Sequence, residues 1–562
     1  MKRLNTFYFF FLIFYFSFAL SDQKNNSDYR LEPETVLSKQ SQELKEGEAK
    51  DAIIVSANKY STDAAWNILK SGGNAADATV TLQLVLGLVE PQSSGIGGGS
   101  FLTYLDKTNN SVISYDGRET APFYATENLF LDEKKKSIPF FDAIVGGLSV
   151  GVPGTLDLLF EFHKDYGDLS WEEVIKPAIK LAENGFYPPQ RLRNAILKEK
   201  FLLSENINND FFSKIKNEPF SKIKNLEYAS TLKKISENYK IFYNGEIAID
   251  IVNKVKNHPR RPGLMELTDL SNYRSIKSKA LCYKLEINTI CGPNLPSSGN
   301  IAIIQALILY ENYNFKSDYD EFTKQIEILE FIYSLRKEYL GDSRFVDVNL
   351  KKLLNKSFLL SEFEKFLIFP KKQNVNIIKN EFNSTSHFSI VDFYGNVVSM
   401  TSSIESSFGS RQFTNGFLLN NQLSDFNFQP LKNKKKVKNR VQGGKKPLSS
   451  MSPLIILDEK NNFLFSVGSP GGTAIISYVF KSIIDVLYMK ISPIDSIKKG
   501  NFVSKDGKVF IEKNMFDLEK IKSNYENVIE RNLISGIAII KKEKNLYRAA
   551  ADIRRDGSVV GE

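Results

Sequence analysis

Cysteine is almost missing from this chain: 562 residues hold two, Cys282 and Cys291. The fold therefore does not rest on a disulfide framework. The two thiols can pair in an oxidising compartment, and their spacing suits facing strands with free thiols equally well. Long apolar runs are also scarce. Residues 75–88 are apolar but fall short of the roughly 20 residues that span a bilayer, and they sit between Asn74 and Pro91 like a buried helix. Nor does the sequence gather one sign of charge into one face. The 74 Lys and Arg exceed the 65 Asp and Glu only modestly and are spread along the chain, so neither a nucleic-acid partner nor a stable membrane span is expected. The run Glu90-Pro91-Gln92-Ser93-Ser94-Gly95-Ile96-Gly97-Gly98-Gly99-Ser100 lacks the dinucleotide fingerprint, and no Gly-Lys-Ser/Thr follows to make a P-loop. Its plain reading is a tight crossing of backbone on backbone, where no side chain fits.

The chain opens with Met1-Lys2-Arg3, an aromatic and aliphatic run over 7–20, and Ala19-Leu20-Ser21. A positive end, a short apolar core and small residues at the cut make residues 1–21 a secretory signal peptide, too short to anchor. The expected location is periplasmic or secreted. Residues 22–50 are polar and read as a flexible lead-in, with order starting near Ala52. Helices are predicted over 61–69, opening on Ser or Thr, and over 75–88, with Ser71-Gly72-Gly73-Asn74 as stop and new cap. A hairpin over 101–105 and 112–115 ends in Asp116-Gly117-Arg118-Glu119, where an arginine past a strand end can clamp a carboxylate.

Ser170-Trp171-Glu172-Glu173 is a capping box whose helix runs to Asn184-Gly185. Helical periodicity recurs over 192–203, 229–239, 247–255 and 301–310, the last opened by Pro296-Ser297-Ser298-Gly299, whose alcohols suit caps or ligands. The final third changes to hairpins: 386–392 with 397–404, 454–457 with 463–467, and 537–541 with 546–550. Helices followed by strands in this order predict an α+β antiparallel sheet assembly covered by helices, not a doubly wound parallel sheet.

The chemistry centres on Asn383-Ser384-Thr385-Ser386-His387-Phe388-Ser389-Ile390-Val391-Asp392. Its period-2 pattern is that of a half-buried strand, in which Thr385, His387 and Ser389 share a face. Downstream come Leu418-Leu419-Asn420-Asn421-Gln422-Leu423-Ser424-Asp425-Phe426, Pro447-Leu448-Ser449-Ser450-Met451-Ser452-Pro453 and Gly468-Ser469-Pro470-Gly471-Gly472. With the 91–99 cluster, Gly117-Arg118-Glu119 and Pro296-Ser297-Ser298-Gly299 in the same order, the chain resembles the γ-glutamyltranspeptidase family over nearly its whole mature length.

The resemblance implies an N-terminal-nucleophile hydrolase with a four-layer αββα sandwich, made as a proenzyme that cuts itself between Ser384 and Thr385. A large piece (22–384, ordered from 51) and a small catalytic piece (385–562) would form a heterodimer. Cleavage frees an α-amine beside the Thr385 hydroxyl, supplying the general base that the sequence otherwise lacks. His387 is the rival base. On a strand it shares the face of Thr385 at roughly 7 Å, too far for a hydrogen bond, and reads as a packed histidine.

By the same resemblance, Gly471 and Gly472 form the oxyanion hole, and Ser403 is the hydroxyl near the nucleophile. Arg118, Ser449 and Ser450 hold the α-carboxylate of a γ-glutamyl group, and Gln422 and Asp425 meet its ammonium. Glu405 stands where the well-known glutathione-cleaving members have asparagine, and bears on substrate preference. Residues 427–446, with Lys432-Asn433-Lys434-Lys435-Lys436, form either a lid or an exposed basic loop. The expected activity is cleavage of glutathione or other γ-glutamyl compounds through a γ-glutamyl-threonine ester, with water, an amino acid or a peptide as acceptor. No cofactor or metal is implied. The alternatives are a glutaryl or cephalosporin acylase of the same fold, and an unprocessed, inactive binding protein.

Overall fold

The computed structural model describes residues 45–207, 209–368 and 384–562; the stretch read as a signal peptide, 1–21, and most of the expected lead-in lie outside them. Order starts ahead of Ala52. Strand β1 (Glu46–Ala49) pairs antiparallel with Leu546–Ala551 at a sheet edge. Glu46 is exposed and Ala49 buried there, so a polar composition concealed an edge strand.

The remaining strands used below are β2 (Ile53–Ser56), β3 (Gly99–Asp106), β4 (Ser111–Gly117), β5 (Ile276–Lys279), β6 (Leu281–Lys284), β7 (Thr289–Gly292), β8 (Ser384–Val391) and β9 (Val397–Glu405). One seven-stranded sheet runs Ser558–Gly561, β2, β8, β9, β3, β4, β5, and the other runs β1, Leu546–Ala551, Ala538–Glu543, Phe463–Gly468, Leu454–Leu457, β7, β6. Every pairing in both is antiparallel. Cys282 and Cys291 lie directly opposite on β6 and β7 and are joined in a disulfide.

Alternation along each strand builds three cores and hence four layers. Phe388 and Ile390 of β8, with Val398 and Met400 of β9, pack into a cluster with helices α1 (Lys59–Lys70) and α2 (Ala75–Val89). Val391 and Val397 turn the other way and meet Ile455, Ala538 and Ile540 of the second sheet. The far face of that sheet, including Ile456, Phe465 and Val467, packs on helices Ser298–Glu311 and Ile475–Ile483. The arrangement is the αββα sandwich.

Local signals mostly land where expected. The boxes at Asn74 with Asp77 and at Ser170 with Glu173 both cap helices, and Gly185 ends the second at φ 81°. Helix α1 differs, because Asn58, not Ser or Thr, is its cap and accepts from Tyr60 N–H; Ser61 and Thr62 donate back to the Asn58 carbonyl. The 192–203 stretch is interrupted: one helix ends at Lys198 and a short one spans Leu202–Glu205. No helix among the described residues is long and apolar enough to cross a membrane.

Candidate active site

Strands β8 and β9 bring the first residues together. Their register shifts between Ser384 and Thr385, so that Ser384 opposes Glu405 and Thr385 opposes Ser403. Such a bulge re-aims a side chain at a strand end. Thr385 shares the inter-sheet face with His387 and Val391, and Gly468 of the opposite sheet packs against the His387 ring. The Ser403 hydroxyl donates to the Ser384 carbonyl oxygen (2.8 Å), accepts from Glu405 N–H (2.9 Å) and lies 3.1 Å from Thr385 Oγ1. Because the Ser403 proton is engaged with Ser384, Thr385 is the donor in the last contact.

The glycine cluster is the backbone crossing expected of it. A Cβ on Gly98 would lie 2.1 Å from Ser403 O, and one on Gly97 would lie 2.1 Å from Leu418 O. Asn420 reinforces the crossing, its Nδ2 donating to Gly97 O and Gly151 O (2.8 Å each). The crossing delivers the loop holding Gln422 and Asp425 beside β9.

Arg118 is fully buried, and its Nη2 donates to Asp425 Oδ2 at 2.5 Å while its Nε donates to Pro447 O at 3.1 Å. The Asp425 side chain remains a quarter exposed, so this charge pair faces the open side. Gln422 Nε2 donates to Asp425 (3.1 Å) and, at 3.5 Å, to Glu405. Glu405 itself stands at φ 79°, a left-handed backbone that asparagine tolerates better than glutamate. Arg118, Asp425, Gln422 and Glu405 thus form one line of alternating donors and acceptors.

Ser449 and Ser450 divide. Ser449 Oγ accepts from Met451 N–H (3.1 Å) within its turn, whereas Ser450 Oγ and Arg118 Nη1 are buried without a hydrogen-bond partner among the described residues. Two buried donors without partners fit an incoming carboxylate. In Pro296-Ser297-Ser298-Gly299, Ser297 is the N-cap residue of helix Ser298–Glu311, but its side chain makes no capping bond. Ser297 donates to Met451 O (2.6 Å), Ser298 to Ser449 O (2.5 Å), and both alcohols hold the Ser449-Ser450 turn.

Gly471 (φ 128°) and Gly472 (φ 55°) take conformations that L side chains resist. They follow strand Phe463–Gly468 and lead into helix Ile475–Ile483. Residues 427–446 carry a hairpin pairing Leu431–Lys432 with Lys435–Lys436, all exposed. It is tied to a neighbouring loop through Gln429 with Ser137 (3.1 Å) and Lys436 with Glu127 (3.3 Å).

His387 is fully buried, its Nδ1 2.9 Å from Thr401 Oγ1, and burial pushes its pKa down to about 3. It is a neutral, packed histidine at physiological pH.

Sequence reasoning gave no role to Glu119 or to Arg555, which donates to the Thr385 carbonyl. Glu119 belongs to a legible motif; Arg555 reaches the site only through the tertiary fold. Both Glu119 oxygens are buried without a hydrogen-bond partner among the described residues, Arg118 Nη1 stands 3.6 Å away, and burial, outweighing that cation, pushes the carboxyl pKa up to about 8. Between an unfolded value of about 4.5 and about 8 the folded state keeps a proton that the unfolded chain releases. Its contribution to stability therefore falls as pH rises through that window. Glu119→Gln is expected to flatten this slope, read as the urea midpoint at pH 5 against pH 8.5; parallel slopes for both proteins refute the assignment.

Stacked antiparallel sheets between helical layers, with a threonine hydroxyl on the inner face of a central strand, define the N-terminal-nucleophile hydrolases. The sequence model of the family described as Gamma-glutamyltranspeptidase matches residues 61–562, and the chain is an enzyme belonging to that family. It is 34% identical over 466 residues to a glutathione hydrolase proenzyme of Bacillus subtilis, covering 77% of each chain. Against the glutathione hydrolase proenzyme of Escherichia coli it is 32% identical over 465 residues, covering 78% of each. A cephalosporin acylase from Bacillus halodurans superposes with a TM-score of 0.80 over 94% of this chain and 98% of its own, at 20% identity, a likeness of fold alone.

Proposed function

We propose that the protein is a γ-glutamyltransferase and glutathione hydrolase, made as a proenzyme that cuts itself between Ser384 and Thr385. The observation that carries this is the Ser403 hydroxyl, in contact with both the Thr385 Oγ1 and the carbonyl of the bond to be cut. In the uncut chain, Thr385 Oγ attacks the Ser384 carbonyl carbon. An Oγ–C bond forms, the Ser384–Thr385 C–N bond breaks, and the nitrogen takes the proton that Oγ gives up. Ser403 polarises the carbonyl. Water then hydrolyses the ester, leaving a carboxylate on Ser384 and a free α-amine on Thr385.

In turnover the α-amine takes the Oγ proton as Oγ attacks the γ-carbonyl of the substrate. The Gly471 and Gly472 N–H groups receive the oxyanion, the amine departs with the proton, and water or an acceptor amine resolves the γ-glutamyl ester. Arg118 and Ser450 take the α-carboxylate, with Ser449 shaping the turn; Asp425, Gln422 and Glu405 take the ammonium. Three acceptors for a cation favour a γ-glutamyl over a glutaryl group. The apolar run at the N-terminus supports export to the periplasm or beyond, and the two fragments would remain together as a heterodimer, sharing both sheets.

Electrophoresis of the purified protein should give two fragments, the smaller with Thr385 as its first residue on N-terminal sequencing. An intact chain would favour the inactive binding protein. Acylation should rise with pH as the α-amine, with a reference pKa of about 7.7 to 8.0, loses its proton. Acetylating that amine should abolish turnover without unfolding the protein, whereas His387→Asn should leave the pH profile in place. A retained rate after acetylation would return the role of base to a side chain.

A further inference from the structure

Arg555 is 2% exposed, and its guanidinium joins two carbonyls: Nη1 donates to Thr385 O at 3.0 Å and Nε donates to Ser535 O at 3.1 Å. Its stem rests on Gly536, where a Cβ would lie 2.8 Å from Arg555 Cδ and 2.5 Å from Pro470 Cγ. No side chain fits between those two neighbours. Pro470 immediately precedes Gly471 and Gly472, and Gly536 N–H donates to Ser469 Oγ at 3.3 Å. Asp552 holds both flanks of the glycine, accepting from Ser535 Oγ (2.5 Å) and Ile537 N–H (3.0 Å). One bracket, 535–537, with Ser535 and Ile537 buried, therefore touches the main chain around Thr385 through Arg555 and the glycine-pair loop through Pro470 and Ser469.

We propose that Arg555 is a positioning residue that holds the main chain of Thr385 in register with the Gly471-Gly472 loop. The inference rests on Thr385 being the nucleophile. In the uncut chain Thr385 is held covalently on both sides. Once the bond to Ser384 is cut, its N-terminal side is free, and its main chain is held by its place opposite Ser403 on β9 and by this charged donor to its carbonyl. Arg555 also bonds Ser535 O, so its planar fork sets the distance between bracket and nucleophile. Lysine, a compact ammonium on a flexible stem, can reach a carbonyl but lacks the rigid fork that sets that spacing. A displacement of about 1 Å between nucleophile and oxyanion donors costs on the order of a hundredfold in rate, while the groups that bind the γ-glutamyl end stay where they are.

The test uses a γ-glutamyl anilide and compares the self-cleaved wild type, Arg555→Met and Arg555→Lys with uncut Thr385→Ala. Arg555→Met should lower kcat about a hundredfold with KM within about threefold of wild type, and Arg555→Lys should recover about tenfold of that loss. Gly536→Ala, which crowds Arg555 and Pro470 together, should also lower kcat at unchanged KM. If Arg555→Met does not fold or is not cut, the Lys and Gly536→Ala variants carry the test by the same split of kcat from KM. The proposal is overturned if Arg555→Met keeps its kcat, if Arg555→Lys is no better than Arg555→Met, or if the loss appears in KM. Turnover by Thr385→Ala would instead overturn the nucleophile reading itself, whatever Arg555 does. A dead Thr385→Ala beside a fully active Arg555→Met sinks this inference alone.

Discussion

Thr385→Ala is expected to stay a single chain and to lose turnover of a γ-glutamyl anilide by on the order of 10^6-fold, the scale on which removing a nucleophile acts. Two losses coincide in that one change. Without Oγ the Ser384–Thr385 bond has no attacker, so the α-amine is never released, and substrate meets neither nucleophile nor base. Thr385→Ser restores the oxygen without the methyl group and should still be cut, more slowly, because Ser403 Oγ remains in contact with the Ser384 carbonyl. Electrophoresis reads cleavage and the anilide assay reads turnover. A Thr385→Ala protein that is still cut at this bond would move the attacking group to another residue.

The second large effect separates two acyl groups that differ only in an ammonium. A γ-glutamyl substrate brings a carboxylate to Arg118 and its own cation to Asp425, Gln422 and Glu405. A glutaryl substrate brings the carboxylate alone, so it competes with Asp425 for the single guanidinium now bonded to Asp425 at 2.5 Å. Leaving one member of a buried charge pair without its partner costs about 3 to 5 kcal/mol, less where solvent reaches it; the Asp425 side chain is a quarter exposed. A hundredfold preference in kcat/KM for the γ-glutamyl anilide needs only about 2.7 kcal/mol of that. Asp425→Asn should erase most of the preference. Glu405→Asn should reduce it less, since Glu405 meets Gln422 only at 3.5 Å. Equal rates on the two anilides with the wild type would promote the acylase over the γ-glutamyl enzyme.

Motifs with local causes were legible. The strand through Thr385, the cap at Asn74, the capping box at Ser170 and the hairpins of the final third depend on neighbours within a few residues, and the structure has them where expected; the Thr385 strand, however, is buried on both faces and not half-buried, because a second sheet covers the face that carries its hydroxyls. The glycines at 97–99 were legible as a close crossing, though not what they cross; Ser403 and Leu418 lie more than 300 residues away. The pairing of Arg118 with Asp425, which the sequence marked only as separate motifs, comes from loops brought together by that crossing.

What lay beyond reach was long-range and without a pattern of its own. Arg555 is one of 74 basic residues, and nothing beside it in the chain marks it as the donor to the Thr385 carbonyl. Glu119 was visible in its motif, but its burial against Gly99 and its raised pKa come from the packed strands. Sequence alone determined the family, the order of the motifs and the strand that carries Thr385, because these rest on residue identity and short-range periodicity. Tertiary structure alone decided which partners meet: the bulge that sets Thr385 against Ser403, the Cys282–Cys291 bridge, the pairing of Arg118 with Asp425 and the bracket under Arg555. The first two are pairings of neighbouring strands whose register the side-chain pattern does not fix; the other two join residues more than 150 apart, and the chain on either side of the contact does not record that packing.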